Sequence, residues 1–222
     1  MLDFSNTRFD KSRPILSYTK VQYLVGLLIR NRKVFIAKSV YSRDMLNIGC
    51  GSNIRNNFIN LDYSWQPGMD VCWDLANPLP LADRSVGAAY SEHCIEHLSL
   101  DVCRRFLRDL ARVLRPGGHV RLAVPDAELY IDAYEKRKSS GFSVPYYDIN
   151  EEEITPLMAI NRVFRNFGHL YAYDFETLSA LLAEAGFVNI VRCEYMQGSD
   201  PRVLIDSEVR SVESLYVEAT NP

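Results

Sequence analysis

The chain has no C-x-x-C pair. Its five cysteines (Cys50, Cys72, Cys94, Cys103 and Cys193) are odd in number and scattered, which argues against a disulfide framework and against a structural zinc site. A reducing, cytoplasmic setting is the expectation. Long apolar runs are also missing: the longest, VQYLVGLLI at Val21 to Ile29, is nine residues, far below the roughly 20 needed to span a bilayer. RNRK follows it directly and no small-residue cleavage site is evident, so an amphipathic helix is expected rather than a signal peptide or a transmembrane segment. There are no internal repeats and no low-complexity tract.

An overall basic excess is absent too, since the net charge is −3. The total hides an asymmetry: residues 1–43 carry nine Lys/Arg against two Asp, and the rest carries 16 against 26. A basic arm on an acidic body suits contact with an anionic surface, and equally a solvated basic helix. With 222 residues and 47% hydrophobic content, the chain can bury one good core. The expected organisation is a basic helical extension over 1–43 and one domain over 44–222.

Short apolar runs bounded by turn residues predict strands at Met45 to Gly49, Phe58 to Asp62, Met69 to Leu75, Val86 to Tyr90 and His119 to Val124. Between the last two, SLDVCRRFLRDLARVLRPGG places Val102, Phe106, Leu107, Leu110, Val113 and Leu114 at helical spacing. Ser99 is positioned to cap that helix and RPGG to stop it. Strand, helix, strand in this order implies a right-handed crossover and a parallel sheet. A second helix is expected from Phe175 to Glu184, with Asp174 as its cap and Gly186 as its stop. A strand from Asn189 to Tyr195 and a last strand, SLYVEAT, should follow.

The stretch LNIGCGSNIRNN gives up side chains at Gly49 and Gly51 just as a buried strand ends. Glycine there implies a positive φ or a close approach to the backbone. A dinucleotide fingerprint needs a third small residue and a full helix after it. Here Ile54 stands at the third position, and about eight residues separate the first two strands, fewer than a regular crossover helix needs. A ligand without a pyrophosphate, gripped by backbone at the glycines and by a carboxylate on its ribose, fits better. S-adenosylmethionine is such a ligand.

LNIGCG, INLDYS, DVCWDLANPLPLADRSVGAAYSEHCIEHL, LARVLRPGGHVRLAVPD and AEAGF together resemble the class I S-adenosylmethionine-dependent methyltransferases, from about Met45 onward. The resemblance implies an α/β Rossmann-like, seven-stranded, mostly parallel sheet with helices on both faces. Its last strand should be antiparallel and lie between the fifth and sixth. Gly49, Cys50 and Gly51 would then pass under the methionine part of the cofactor. Asp62, followed by Tyr63, would hold the ribose, Asp74 and Leu75 the adenine edge, and Tyr90 and Ser91 the sulfonium end. The missing helix after Gly51 departs from the family pattern. Because the cofactor's methyl group is already activated, the protein mainly has to place a nucleophile in line, worth about 7–11 kcal/mol of the barrier.

In SEHCIEHL, a helix would put His93, Glu96 and His97 on one face. Such a face suits Mg²⁺ or another divalent metal held by His93, Glu96 and His97, or a lone His acting as base; bracing of the cofactor loop is the third reading. The pattern is similar to the E-x-x-E-H face by which some O-methyltransferases hold a metal, with His93 in place of the first Glu. His169, in GHLYAYD, is expected to serve as base or ligand from the opposite side. Residues 127–175 hold ten of the 25 aromatics and read as a substrate lid, with Asp126, Tyr130, Arg165, His169 and Tyr171 as candidate acceptor contacts; Tyr146 and Tyr147 belong to the same group. Aromatic faces with polar edges suit a sugar.

The subgroup also resembles enzymes associated with polysaccharide synthesis. The expectation is therefore an O-methyltransferase acting on a hydroxyl of a saccharide or glycoside, its acceptor a small molecule or oligosaccharide. A small aromatic or lipid-like hydroxyl, an amine, or a catalytically silent binding protein are the alternatives. No nucleic-acid partner is expected, and a homodimer contact through the arm is left open.

Overall fold

The structure is a computed structural model, and it describes residues 18–136 and 155–222. Seven strands form one sheet: β1 (Met45–Ile48), β2 (Phe58–Asp62), β3 (Val71–Cys72), β4 (Val86–Glu92), β5 (Leu114–Pro125), β6 (Val188–Cys193) and β7 (Ser214–Thr220). Their order is β3-β2-β1-β4-β5-β7-β6, with β7 antiparallel to both neighbours and the pairs from β3 to β5 parallel. The chain reverses direction across the sheet between β1 and β4, so the crevice outside the carboxyl ends of these two strands is where an open α/β sheet takes a ligand.

Successive strand side chains alternate faces. On one face Leu46, Ile48, Ala89, Leu122 and Val217 join Phe106, Leu107 and Leu110 of α2 (Leu100–Val113) and Leu178 and Leu182 of α5 (Phe175–Glu184) in the main core. On the other, Phe58, Ala88 and Tyr90 pack on Val203, and the segment 194–213 covers the rest. That cover is tied down by a buried cation. The Arg121 guanidinium, on β5, donates to both Asp206 oxygens at 2.8 and 2.5 Å and to Glu218 at 3.0 Å. A buried guanidinium is tolerated only with such partners.

Local chemistry accounts for most boundaries. Asp174 caps α5 by accepting from Thr177 N at 2.8 Å, and Gly186 follows its end at φ 99°. Ser99 precedes α2 as expected but makes no side-chain cap bond. RPGG lies within β5 instead of preceding it, because Leu114 already pairs with Val86. The third strand shrinks to two residues, and β4 runs on to Glu92.

The described part of the arm is α1 (Tyr18–Ile29) followed by two 3₁₀ turns. It clips onto the ends of β2 and β3. Arg30 Nε donates to Tyr63 O at 2.8 Å, Asn31 N donates to Cys72 O at 3.1 Å, and Asp74 N donates to Asn31 Oδ1 at 2.8 Å. Two further helices, α3 (Ala127–Lys136) and α4 (Pro156–Arg165), lie within the 127–175 segment expected as a lid. Tyr146 and Tyr147 lie outside the described residues.

Candidate active site

Two clusters meet at the carboxyl ends of β1, β2, β4 and β5. The first is the glycine turn. Gly49 and Gly51 adopt φ of 66° and 49°, a region that glycine enters without steric cost. Among the described residues, a Cβ on Gly51 would meet no heavy atom within 4 Å, so its backbone borders open space there; one on Gly49 would lie 2.5 Å from Cys94 Cβ and Sγ. One Asp62 oxygen accepts from Gly51 N at 2.9 Å, the other from Ser64 N at 2.7 Å. Since a carboxylate offers about four lone-pair sites, each oxygen keeps capacity for a further donor. No helix separates β1 from β2, in keeping with the short spacing.

The second cluster is histidine-rich. A cavity of about 110 Å³ is lined by His93, Glu96 and His97, by Arg162 and His169, and by Arg210 and Glu213, with Pro125, Val163 and Phe167 as its apolar wall. Three of the chain's four histidines thus meet at one place. The expected helix is a single 3₁₀ turn, Ile95–His97, preceded by His93 at φ 47°. His93 still faces the cavity through this reversal and the tighter turn, with Nδ1 3.6 Å from Glu96 Oε1. Its Nε2 lies 2.8 Å from Ser214 Oγ.

His169 arrives from the other side, since Phe167 and Gly168, both at positive φ, bend the chain. Leu170 N and Tyr171 N donate to the Glu96 carbonyl at 2.8 and 3.2 Å and hold it there. The His97 and His169 rings meet edge to face at 4.8 Å. Burial pushes the Glu96 carboxyl up to about 8 and the His93 imidazolium down to about 3, the latter helped by the charge of Arg210. His97 and His169 are also lowered, chiefly by burial. All three imidazoles are neutral at pH 7, and a value near 3 makes His93 a weak base there.

The methyltransferase-domain family matches residues 50–122, which run from the glycine turn through β5. Probable S-adenosylmethionine-dependent methyltransferases from two strains of Mycobacterium tuberculosis are 26% identical over 73% of this chain and 55% of their own length. The stretch from the glycine turn into β5 is thus similar to a methyltransferase domain, and the chain shares its fold with solved S-adenosylmethionine-dependent methyltransferases. The chain spans about half the length of the Mycobacterium tuberculosis relatives. A solved methyltransferase from Thermotoga maritima, described as a possible histamine N-methyltransferase, shares the fold with a TM-score of 0.50. It is 20% identical over 92% of this chain and 91% of its own. An Archaeoglobus fulgidus methyltransferase also has a TM-score of 0.50, at 16% identity over 90% and 94%.

Gly49, Cys50, Gly51 and Asp62 stand together at the crevice. Cys50 N donates to Leu61 O at 3.0 Å, and burial pushes its thiol up to about 12, so Cys50 acts there through its backbone. One face of the Tyr63 ring carries the Arg30 guanidinium, 3.6 Å from the centroid. Asp74 accepts from Ala76 N at 2.9 Å, and Leu75 packs into the main core. Ser91 is buried; Tyr90 is buried on the opposite face of the sheet, against Phe58 and Val203, because strand side chains alternate.

Among the acceptor candidates only His169 lines the cavity. Asp126 is engaged with Glu128 N at 3.1 Å and Arg192 at 2.6 Å, Tyr130 donates to Glu213 at 3.2 Å, Arg165 is exposed, and Tyr171 packs on Tyr173. The sequence carries no local signal for Arg210 and Glu213. They reach the cavity from the irregular cover of the sheet's second face.

Proposed function

We propose that this protein transfers a methyl group from S-adenosylmethionine to a hydroxyl of a saccharide or glycoside. The observation that carries the reading is the adjacency of the two clusters: Gly49, in the cofactor turn, lies against Cys94, two residues before Glu96 of the cavity. The cofactor supplies an activated methyl on a sulfonium.

The chain's residues fit that group. Open space at Gly51 admits the methionine part, and Asp62 retains acceptor capacity for ribose hydroxyls. The cavity's guanidinium, carboxylate and imidazole groups against Phe167 and Val163 suit an acceptor with hydroxyl edges and an apolar face. The acceptor oxygen bonds to the methyl carbon as the carbon–sulfur bond breaks, and the electron pair stays on sulfur. The hydroxyl proton passes to a neutral imidazole of the cavity. Positioning in line supplies most of the rate.

Calorimetry with S-adenosylmethionine and S-adenosylhomocysteine tests the first half. Wild type should bind both, and Asp62→Ala should weaken binding by at least about tenfold, as for loss of a charged hydrogen bond. Unchanged affinity removes Asp62 from the site. Methyl transfer to a panel of glycosides, phenols and amines, read by product mass, tests the second half; turnover confined to amines would replace the hydroxyl reading.

A further inference from the structure

The methyl-transfer reading leaves one feature of the cavity unexplained. Glu96 is 1% exposed, and among the described residues neither of its carboxylate oxygens has a hydrogen-bond partner. The nearest ring nitrogens, His93 Nδ1 at 3.6 Å and His169 Nε2 at 3.9 Å, stand off the same oxygen beyond hydrogen-bond reach. Arg210, in the same lining, has Glu213 at 2.8 Å. A buried carboxyl group left without a partner costs free energy even when neutral, and such a group calls for an explanation.

Two imidazoles converge on this carboxylate. One donor atom each from Glu96, His97 and His169 lies within 4.8 Å of the others. His169 Nδ1 is 2.6 Å from the carbonyl of Val163. A carbonyl only accepts, so Nδ1 carries the proton and Nε2 keeps its lone pair, toward Glu96. Fixing a ligand imidazole through a carbonyl on its far nitrogen is how metal-binding histidines are oriented.

We propose that Glu96, His97 and His169 form a site for a divalent transition-metal ion at the acceptor cavity. The donor set selects the metal. Mg²⁺ demands oxygen ligands in a near-ideal octahedron, whereas two imidazoles and one carboxylate suit Mn²⁺, Fe²⁺, Co²⁺ or Zn²⁺. His93 is outside the set, because among the described residues only Glu96, His97 and His169 offer ligand atoms that all lie within 4.8 Å of one another. Three protein ligands leave positions open, as in catalytic rather than structural sites. On the proposed methyl transfer, on which this role rests, the ion would supply Lewis acidity that lowers the pKa of an acceptor hydroxyl, so that with the ion bound the proton leaves to water instead of to His97 or His169.

The test is metal binding by the full, tag-free chain stripped with chelator, without acceptor. Titration calorimetry with Mn²⁺, Zn²⁺ and Mg²⁺, and the visible absorption of added Co²⁺, should show one ion per chain and weaker binding of Mg²⁺ than of the others. Glu96→Gln, which keeps the shape of the side chain, and His169→Ala should each weaken Co²⁺ or Zn²⁺ by at least about 100-fold. His93→Ala should leave it within a few-fold. Thermal unfolding and S-adenosylmethionine affinity, measured on the same preparations, identify a variant that has lost its fold; the near-isosteric Glu96→Gln then decides.

Wild type that binds none of these ions below about millimolar overturns the site. So does binding that Glu96→Gln and His169→Ala leave unchanged. A preparation that binds the ion but no S-adenosylmethionine overturns the methyl-transfer reading and leaves the metal site standing.

Discussion

Gly49, Gly51 and Asp62 come from two adjacent parallel strands joined by a short loop, whereas Glu96, His97, His169 and Arg210 come from three segments far apart in sequence. The first group is positioned by backbone: positive φ at the glycines and amide donors on the Asp62 carboxylate. The second is positioned by tertiary contact, through the Glu96 carbonyl that anchors Leu170 and Tyr171. On the proposed reading, the strand-end group would take the cofactor and the group gathered from distant segments would take the acceptor.

Gly49 is where the two halves touch, and its replacement should have the largest effect. Gly49→Val forces a β-branched residue to φ 66° and drives Cβ to 2.5 Å from Cys94. Overpacking and backbone strain together should cost about 3 kcal/mol, lowering the melting temperature by roughly 6–12 °C. Both cofactor and metal binding should fall in calorimetry. A stable variant that keeps either one would show that the halves are not mechanically joined.

Gly51→Val should separate them. Its side chain enters open space, so the fold should survive with about 1–2 kcal/mol of backbone strain. S-adenosylmethionine affinity should drop below detection while Co²⁺ absorption stays at its wild-type level. Retained cofactor binding would mean the ligand does not pass over this backbone.

Asp174→Ala should do least, and equally to both halves. Loss of the cap costs about 1 kcal/mol, read as a melting-temperature drop of a few degrees with unchanged binding. The Asp174 carboxyl is held below its ordinary range by its hydrogen bonds to Thr177. Its contribution is therefore present above the unfolded carboxylate pKa and is lost as pH falls through the folded value. Wild type and variant should converge in stability in acid; a gap that persists there would point to lost packing.

The sheet, both strong helices, the Asp174 cap and the place of the last strand were legible, because periodicity, turn residues and strand-end carboxylates are local signals. The glycine turn was legible for the same reason. The cavity was only partly so. His93, Glu96 and His97 looked like one helical face; they line one cavity, but from a positive φ at His93 and a 3₁₀ turn in place of the helix. The pairing of Glu96 with His169 depends on a bend at Phe167 and Gly168 that no spacing rule announces. Arg121 shows the same limit: nothing in HVRLAVP marks a charge that will be fully enclosed by Asp206 and Glu218.

The antiparallel strand between β5 and β6 also has a kinetic meaning. Val120 pairs with Ala219 and His119 with Thr220, while Asn221 donates to the Gly118 and Leu114 carbonyls. These partners are separated by about a hundred residues, so β5 gains its second neighbour only through a contact of very long loop. Such closures are paid for in chain entropy before they return any packing, which slows folding. Until that pairing forms, one edge of β5 offers unpaired amides and carbonyls beside an apolar face. The protein's most aggregation-exposed moment should accordingly be set by the docking of residues 214–220, well away from the chemistry.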